Sequence, residues 1–157
     1  MWKSRTLGYA SAMDTNTTTN YKIVIVEDNA ALADVYKIRL ELIGYTVYNA
    51  YDGEEGLAVI ERERPDLVLL DMMLPKVAGD ELLKRMRASE WGKEIRVYIL
   101  SNLNEQDAPA GLRQYNIEGY TVKMNMHDDD LDKLVDSILT PRDQHESINL
   151  SENSTEL

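Results

Sequence analysis

The sequence predicts an α/β fold, built from a parallel sheet with helices on both faces. Five short apolar segments that suit strands alternate with five segments that suit helices, and this alternation is typical of βαβ units. The central segment, 67–70, consists of four large aliphatic residues without polar alternation, as expected of a strand buried on both faces. Since crossovers between parallel strands are right-handed, the helices are expected to cover both faces of the sheet.

The expected strands are rich in aliphatic, β-branched and aromatic residues, which suit a pleated and buried backbone. Polar stretches, several with glycine or proline, separate the strands from the helical segments. The strands are expected at residues 21–26, 45–50, 67–70, 95–100 and 118–122.

Four helices are predicted from apolar residues at helical spacing and from the residues at their ends. Gly44 suits the position after the first helix, and Asp52 with Glu55 resembles a capping box at the start of the second. The acidic run 128–130 is interpreted as the first turn of the last helix, where it complements the helix dipole, rather than as a metal cluster. The helices are expected over 29–43, from Asp52 to before Pro65, over 79–89 and from this acidic run to 139.

The helix between the fourth and fifth strands is expected to be short and mobile. Pro109 has no N–H to donate and fits only the first turn of a helix, while Gly111 lowers helix propensity further. We therefore expect a long loop over 101–107 and a helix that starts near Ala108.

Length and sequence pattern suggest one domain. The 157 residues suit a single domain, which we place at 21–140. The polar N-terminal segment, 1–20, and the acidic tail, 141–157, are expected to be disordered. No apolar run approaches the ~18 residues that span a bilayer, and the N-terminus lacks the apolar region of a signal peptide.

Composition and charge exclude several classes of function. The absence of cysteine excludes disulfides, thiol nucleophiles and cysteine-based zinc sites, and it fits a cytoplasmic protein. The formal net charge is −11; residues 1–20 carry +1 and residues 141–157 carry −3, which leaves −9 for the domain. Direct binding to a nucleic-acid backbone is therefore not expected.

Polar side chains follow four of the predicted strands. They are Glu27 and Asp28 after the first strand, Asp71 after the third, Ser101 after the fourth and Lys123 after the fifth. The carboxyl ends of parallel strands share one edge of the sheet, where such sheets bind their ligands. We therefore expect these groups to lie together. Taken alone, Asp71 would be interpreted as a cap of the turn that follows it.

Three carboxylates at this edge would repel one another unless a cation lay between them. Because only oxygen ligands are present, Mg²⁺ is the expected ion. A carboxylate that faces the crevice could act as a nucleophile toward phosphorus, as in aspartyl-phosphate enzymes. Lys123 would then neutralise phosphoryl oxygens, and Ser101 would donate a hydrogen bond to them.

The spacing of these residues resembles that of the receiver domains of response regulators in two-component signalling. Asp71 precedes Ser101 by 30 residues and Lys123 by 52, and Tyr120 lies three residues before Lys123. The resemblance covers the chain from about Lys22 to Leu139. It implies a flavodoxin-like (βα)5 fold, which is a doubly wound parallel sheet with strand order 2-1-3-4-5.

The resemblance also implies a role for each matching residue. Asp71 would be the phosphorylation site and Lys123 would contact the phosphoryl group. Ser101 would be the switch hydroxyl, and Tyr120 would be the aromatic side chain that rotates with it. The implied ligands of Mg²⁺ are Glu27, Asp28, Asp71 and the Met73 carbonyl.

On this resemblance, the chain is expected to be a stand-alone phospho-acceptor switch. It would receive a phosphoryl group from a sensor histidine kinase or a phosphotransfer protein and then dock to a downstream protein target. It would not be a turnover enzyme, although it would catalyse its own phosphoryl transfer and a slow autodephosphorylation. A dimer that forms on phosphorylation is compatible with this interpretation.

Three other functions remain open at this point. A receiver-like interaction module that works without phosphorylation would keep the fold, but the acid pair, Asp71, Ser101 and Lys123 are all present. A phosphohydrolase with an aspartyl nucleophile usually has a second acid two residues later, where this chain has Met73. A flavin carrier would need a phosphate-binding Gly/Ser/Thr loop after the first strand, and the sequence has none there.

Three positions depart from the pattern of the family. Met124 follows Lys123 where members usually have proline, Ala78 stands where an Asp is frequent, and Asn102 follows the switch hydroxyl where a small residue is common. Without proline, a cis peptide bond costs roughly 3 kcal/mol. The Lys123–Met124 bond is therefore expected to be trans or only marginally cis.

Overall fold

The computed structural model describes residues 20–140, in which five strands form one parallel sheet. The strands are β1 (Lys22–Val26), β2 (Thr46–Ala50), β3 (Leu67–Leu70), β4 (Arg96–Ser101) and β5 (Gly119–Val122). They pair in the order β2-β1-β3-β4-β5, which confirms the order that the resemblance implied. Apart from Asn20, the two segments predicted to be disordered, 1–20 and 141–157, lie outside the described residues.

The register of the sheet sets which residues meet at its carboxyl edge. Val26 of β1 pairs with Leu70 of β3, so the residues that follow them, Glu27 and Asp71, leave the sheet side by side. The N–H of Asp71 donates to the carbonyl of Val26 at 3.0 Å and prolongs this pairing by one residue. On the other side, Ser101 pairs with Val122, which brings the end of β4 next to Lys123.

Within residues 20–140, four α-helices cover the two faces of the sheet. They are α1 (Ala30–Leu42), α2 (Gly53–Glu63), α3 (Gly79–Ala88) and α4 (Asp130–Leu139). Val68 and Leu70 lie in the core formed with α2 and α3, whereas Leu67 and Leu69 lie in the core formed with α1 and α4. Because successive strand residues face opposite sides, the aliphatic run of β3 fills both cores. Among the described residues, no helix has the length and apolarity needed to cross a membrane.

The predicted signals at the helix ends form as expected. The N–H of Glu55 donates to Asp52 Oδ1 at 2.8 Å, and the Glu55 carboxylate accepts the N–H of Tyr51 at 2.8 Å. These reciprocal bonds satisfy backbone donors at the start of α2, as a capping box does. After α1, Gly44 has φ 108°, a left-handed conformation that glycine adopts without a steric penalty.

The predicted helix near Ala108 is wrong, because no α-helix lies between β4 and β5 in the described chain. This connection contains two short 3₁₀ turns, Glu105–Asp107 and Leu112–Tyr115. Ala108 is extended, with φ −69° and ψ 155°, since the ring of the following proline disfavours a helical conformation there. Gly111 has φ 86° and interrupts the backbone a second time. Pro109 and Gly111 thus prevent the helix that they were expected only to shorten.

The guanidinium group of Arg87 ties the end of this connection to the rest of the domain. Arg87, near the end of α3, donates to the carbonyls of Gly92 and Ile95 at 2.7 Å and of Tyr115 at 2.8 Å. The three carbonyls belong to two loops that are separated in sequence. Arg87 therefore fixes the end of the second 3₁₀ turn to α3 and to the start of β4.

The connection after β5 also follows its prediction. Within residues 20–140 no peptide bond is cis, so the Lys123–Met124 bond is trans. Residues Lys123–Asn125 form a 3₁₀ turn directly after the strand. This turn leaves the Lys123 side chain at the carboxyl edge of the sheet while the Met124 side chain is exposed.

Candidate functional site

The carboxyl edge of the sheet brings together the polar groups that the sequence singled out. One carboxylate oxygen from each of Glu27, Asp28 and Asp71 lies within 4.8 Å of the others. Lys123 contacts two of these carboxylates, and Ser101 contacts one. These five residues follow or end β1, β3, β4 and β5, so the topology of the sheet creates the cluster.

Asp71 is the centre of this cluster and is almost fully buried, at 5% exposure. Its Oδ1 accepts hydrogen bonds from the Ser101 hydroxyl at 3.0 Å and from the N–H of Met73 at 3.1 Å. Its Oδ2 accepts a hydrogen bond from Lys123 Nζ at 2.7 Å. Both oxygens are therefore held in place, and the carboxylate has one fixed orientation.

Glu27 shares the Lys123 ammonium group with Asp71. Lys123 Nζ donates to Glu27 Oε2, and the N–H of Asn29 donates to Glu27 Oε1 at 3.0 Å. Burial raises the pKa of Glu27, and these two hydrogen bonds offset part of that rise. Burial by itself would lower the pKa of Lys123, but the hydrogen bonds and charges of Asp71 and Glu27 outweigh it and raise that pKa. Lys123 is therefore a cation here.

The arrangement of charges fits a divalent cation. Glu27 and Asp71 are buried, whereas Asp28 is exposed, so the acid cluster is open to solvent on the Asp28 side. Three carboxylates face the single ammonium group of Lys123, which leaves an excess of negative charge. All the donors are oxygens, which are the ligands that Mg²⁺ prefers in proteins.

Ser101 and Tyr120 are connected through the backbone of one residue. The Ser101 hydroxyl accepts the N–H of Leu103 at 3.3 Å, and the Tyr120 hydroxyl donates to the carbonyl of Leu103 at 2.7 Å. Tyr120 is partly buried, and this burial raises the pKa of its hydroxyl. The sequence singled out the two side chains, but it gave no sign that the Leu103 backbone joins them.

Tyr36 is a further neighbour of the acid cluster that the sequence did not indicate. Its ring is partly buried and packs against the core below α1. It also lines a very small cavity together with Glu27 and Asp71. Burial raises the pKa of its hydroxyl. Only the register of α1 against β1 and β3 brings it there, and a helical periodicity cannot reveal that register.

Comparison with protein families now places this site in context. A protein-family model described as “response regulator receiver domain” matches residues 23–136. The chain belongs to the response regulator receiver domain family. Proteins of this family work in two-component signalling, and magnesium and a phosphorylated aspartate are general features of the family.

Curated relatives of this receiver domain include transcriptional regulators. The DNA-binding dual master transcriptional regulator RpaA of Synechocystis sp. is 41% identical over 91 residues, which are 57% of this chain and 38% of RpaA. The alkaline phosphatase synthesis transcriptional regulatory protein PhoP of Bacillus subtilis is 46% identical over 68 residues, which are 43% of this chain and 28% of PhoP. The matched part is thus less than half of each relative. The expectation that this chain does not bind nucleic acid directly stays a prediction.

Solved structures support the fold of this receiver domain. The chemotaxis response regulator CheY4 of Vibrio cholerae is similar with a TM-score of 0.70 and 25% identity, over 77% of this chain and all of CheY4. The receiver domain of a sensor histidine kinase from Pseudomonas aeruginosa is similar with a TM-score of 0.67 and 26% identity, over 75% of this chain and 96% of that one. The latter structure has a magnesium ion coordinated in its active site cleft. The predicted flavodoxin-like fold and receiver family are confirmed.

Proposed function

We propose that this receiver domain is a phospho-acceptor switch and that Asp71 accepts the phosphoryl group. The observation that carries the proposal is the position of the Asp71 carboxylate, which lies between the Ser101 hydroxyl and the Lys123 ammonium group. A nucleophile needs a fixed orientation, and both of its neighbours can also bind a phosphoryl group. The same geometry argues against a degenerate module, in which such contacts would have no use.

The phosphodonor would be a phosphohistidine on a sensor histidine kinase or a phosphotransfer protein. An oxygen of Asp71 attacks phosphorus, the new O–P bond forms, and the P–N bond to the histidine breaks. The imidazole nitrogen leaves with the electron pair of that bond. Lys123, which already lies 2.7 Å from Asp71 Oδ2, neutralises charge on the transferred phosphoryl oxygens. The Ser101 hydroxyl can then donate to one of them instead of to Asp71.

Glu27, Asp28, Asp71 and the Met73 carbonyl are the groups that we propose to hold Mg²⁺. The backbone N–H of Met73 donates a hydrogen bond to Asp71 Oδ1, which keeps the Met73 backbone beside the acid cluster. This position favours the Met73 carbonyl as a ligand of the ion. When bound, Mg²⁺ would stabilise the negative charge that develops on the phosphoryl oxygens. The protein itself supplies the nucleophile, its orientation and the Lys123 cation.

The output of this switch would be altered docking to a protein target. Ser101, the Leu103 backbone and Tyr120 form a continuous set of contacts from Asp71 to the 3₁₀ connection, so a change at Asp71 can reach the surface. The chain would catalyse its own phosphorylation and slow dephosphorylation without acting as a turnover enzyme. We place it in the cytoplasm, with a downstream protein and no nucleic acid as its direct partner. A dimer that depends on phosphorylation is compatible with this proposal.

Intact-mass analysis after treatment with acetyl phosphate and Mg²⁺ tests the acceptor role. The wild-type protein should gain one phosphoryl group, and it should gain none when EDTA replaces Mg²⁺. Asp71→Asn should not be labelled, whereas Asp80→Asn, in the first turn of α3 and outside the acid cluster, should be labelled like wild type. Equal labelling of Asp71→Asn and wild type would contradict the proposal. Absence of labelling in wild type would favour the interaction module that works without phosphorylation.

A further inference from the structure

A groove lies at the amino edge of the sheet, opposite to the acid cluster. It has a volume of about 390 Å³ and is formed where β1, β3 and β4 begin, beside the last turn of α4. Its apolar walls include Tyr21, Trp91, Ile95 and Leu139. Trp91 and Ile95 are only half-buried, so the groove offers apolar surface to a ligand. None of the reactions described above uses it.

The rim of this groove is acidic. Asp66, Glu90 and Glu94 line it, against one cation, Arg96. Arg96 is directed to the carbonyl of Ile138, to which it donates at 2.5 Å. Glu90 has Lys93 as a partner at 2.6 Å, but no ion pair to Glu94 is found within residues 20–140. A ligand that suits this groove therefore combines apolar or aromatic side chains with positive charge.

We propose that the N-terminal segment of the same chain, residues 2–9, docks in this groove. Its sequence is Trp2-Lys3-Ser4-Arg5-Thr6-Leu7-Gly8-Tyr9, which combines two cations with three large apolar side chains and has no acid. The cations match the acidic rim, and the apolar side chains match the walls around Trp91. This composition is the complement of the groove in both respects.

The position of the groove allows this segment to reach it. Tyr21, which lines the groove, comes directly after the first described residue, so the segment enters from beside its own binding site. The connecting residues 10–20 span up to roughly 36 Å when extended, which is ample for a local docking. Tethering also raises the effective concentration to about the millimolar range, so that individually weak contacts are sufficient.

The charge of the two ends of the chain selects the N-terminal segment as the occupant. Residues 141–157 follow α4, whose Leu139 also lines the groove, so they start equally close to it. They carry Arg142 against four acids, however, and like charges would repel them from the rim. The N-terminal segment is thus the part of the chain with the right charge in the right place.

A spin label on the segment tests this inference in the full-length chain. The protein has no cysteine, so Ser4→Cys gives a single attachment point for a nitroxide. The nitroxide should broaden the amide signals of Glu94, Ile95 and Leu139 more strongly than those beside Asp71. Glu90→Lys/Glu94→Lys should abolish this preference, because the lysines that replace these two exposed acids then repel the segment.

Two further variants control for fold and net charge. Glu54→Lys/Asp128→Lys changes the net charge equally but alters exposed acids outside the groove, and it should leave the broadening unchanged. Adding Lys3→Glu/Arg5→Glu to the reversed groove should restore the broadening, because the charges are then exchanged. Broadening that is uniform, absent or insensitive to the groove charges would overturn the proposal. So would broadening that appears equally when the nitroxide and the ¹⁵N label are on different molecules, since a second copy would then be the occupant.

Discussion

Met73 and Leu103 are apolar residues that lie two positions beyond the proposed acceptor, Asp71, and the proposed switch residue, Ser101. Met73 lies two residues beyond Asp71 and is 60% exposed, so it does not turn into the core, and Leu103 is half-buried. In similar receivers the side chains at these two positions flank the approach of water to phosphorus. Here neither can hydrogen-bond that water. We therefore expect a long-lived phosphorylated state.

Phosphate release from the purified phosphoprotein measures this lifetime. Met73→Asn/Leu103→Glu should hydrolyse faster than wild type, because general-base or positioning effects are each commonly worth on the order of 10²-fold. Met124→Asn is a matched control, since Met124 is also an exposed methionine at the same edge but lies in the 3₁₀ turn after β5. If the double variant hydrolyses no faster, Asn102 becomes the next candidate for controlling water access.

Lys123 is expected to be the residue whose loss destabilises the acid cluster most. Its side chain is 7% exposed and is the cation that contacts both Glu27 and Asp71. Lys123→Met leaves these two buried carboxylates without their cationic partner. Such a loss typically lowers the free energy of unfolding by about 3 kcal/mol. The loss should shrink as the pH falls, because burial raises the pKa of Glu27 and protonated Glu27 needs no cation.

Urea unfolding in EDTA across a range of pH checks this prediction. Glu27→Gln in the Lys123→Met background should recover part of the lost stability at neutral pH, since one buried charge is removed. A loss that is independent of pH would mean that Lys123 stabilises the domain through packing of its aliphatic chain alone.

The connection between β4 and β5 is the element in which sequence and structure differ most. Without α-helical hydrogen bonds, residues 102–114 should exchange their amide hydrogens faster than 131–139 in α4. Hydrogen exchange followed by mass spectrometry measures both segments in one experiment. Equal protection of the two segments would show that the 3₁₀ turns are as stable as the helix.

Arg87 should be the main anchor of this same element. Arg87→Lys keeps the charge but lacks the fork of the guanidinium group that reaches three carbonyls, so part-buried acceptors lose a charged partner. We expect a loss of about 2 kcal/mol in the free energy of unfolding and faster exchange at 112–117. Arg85→Lys, two residues earlier in α3, alters an exposed pair with Glu81 and should change neither. Similar effects of both substitutions would contradict the anchoring role.

Sequence reasoning succeeded wherever one local pattern decides the structure. The aliphatic run of β3 specified a strand buried on both faces, and strand ends of a parallel sheet must meet at one edge, so the acid cluster followed. The prediction of a helix near Ala108 was wrong because Pro109 and Gly111 were each treated as a small local cost, whereas together they prevent the helix. Arg87 and Tyr36 were missed because their contacts depend on how separate elements pack, which no periodicity records.

At the scale of the whole molecule, Mg²⁺ should stabilise the folded state by mass action. Folding brings Asp71 next to Glu27 and Asp28, from which it is distant in the unfolded chain, so the ion should bind the folded state preferentially. At a hundredfold excess over the dissociation constant this adds about 2.7 kcal/mol, which is a rise of several degrees in melting temperature. Differential scanning calorimetry with MgCl₂, and with NaCl at equal ionic strength, measures it. The rise should vanish in Glu27→Gln/Asp28→Asn, and a rise that persists there would place the ion elsewhere.

The described chain begins and ends at the same groove, because Tyr21 and Leu139 both line it. The proposed acceptor, Asp71, lies at the opposite edge of the sheet, so the ends of the described chain are spatially separate from it. A circular permutant that joins residue 140 to residue 20 by a short Gly/Ser linker should therefore fold and still accept a phosphoryl group. The same separation means that domains fused at either end would leave the route of a phosphodonor to Asp71 unobstructed.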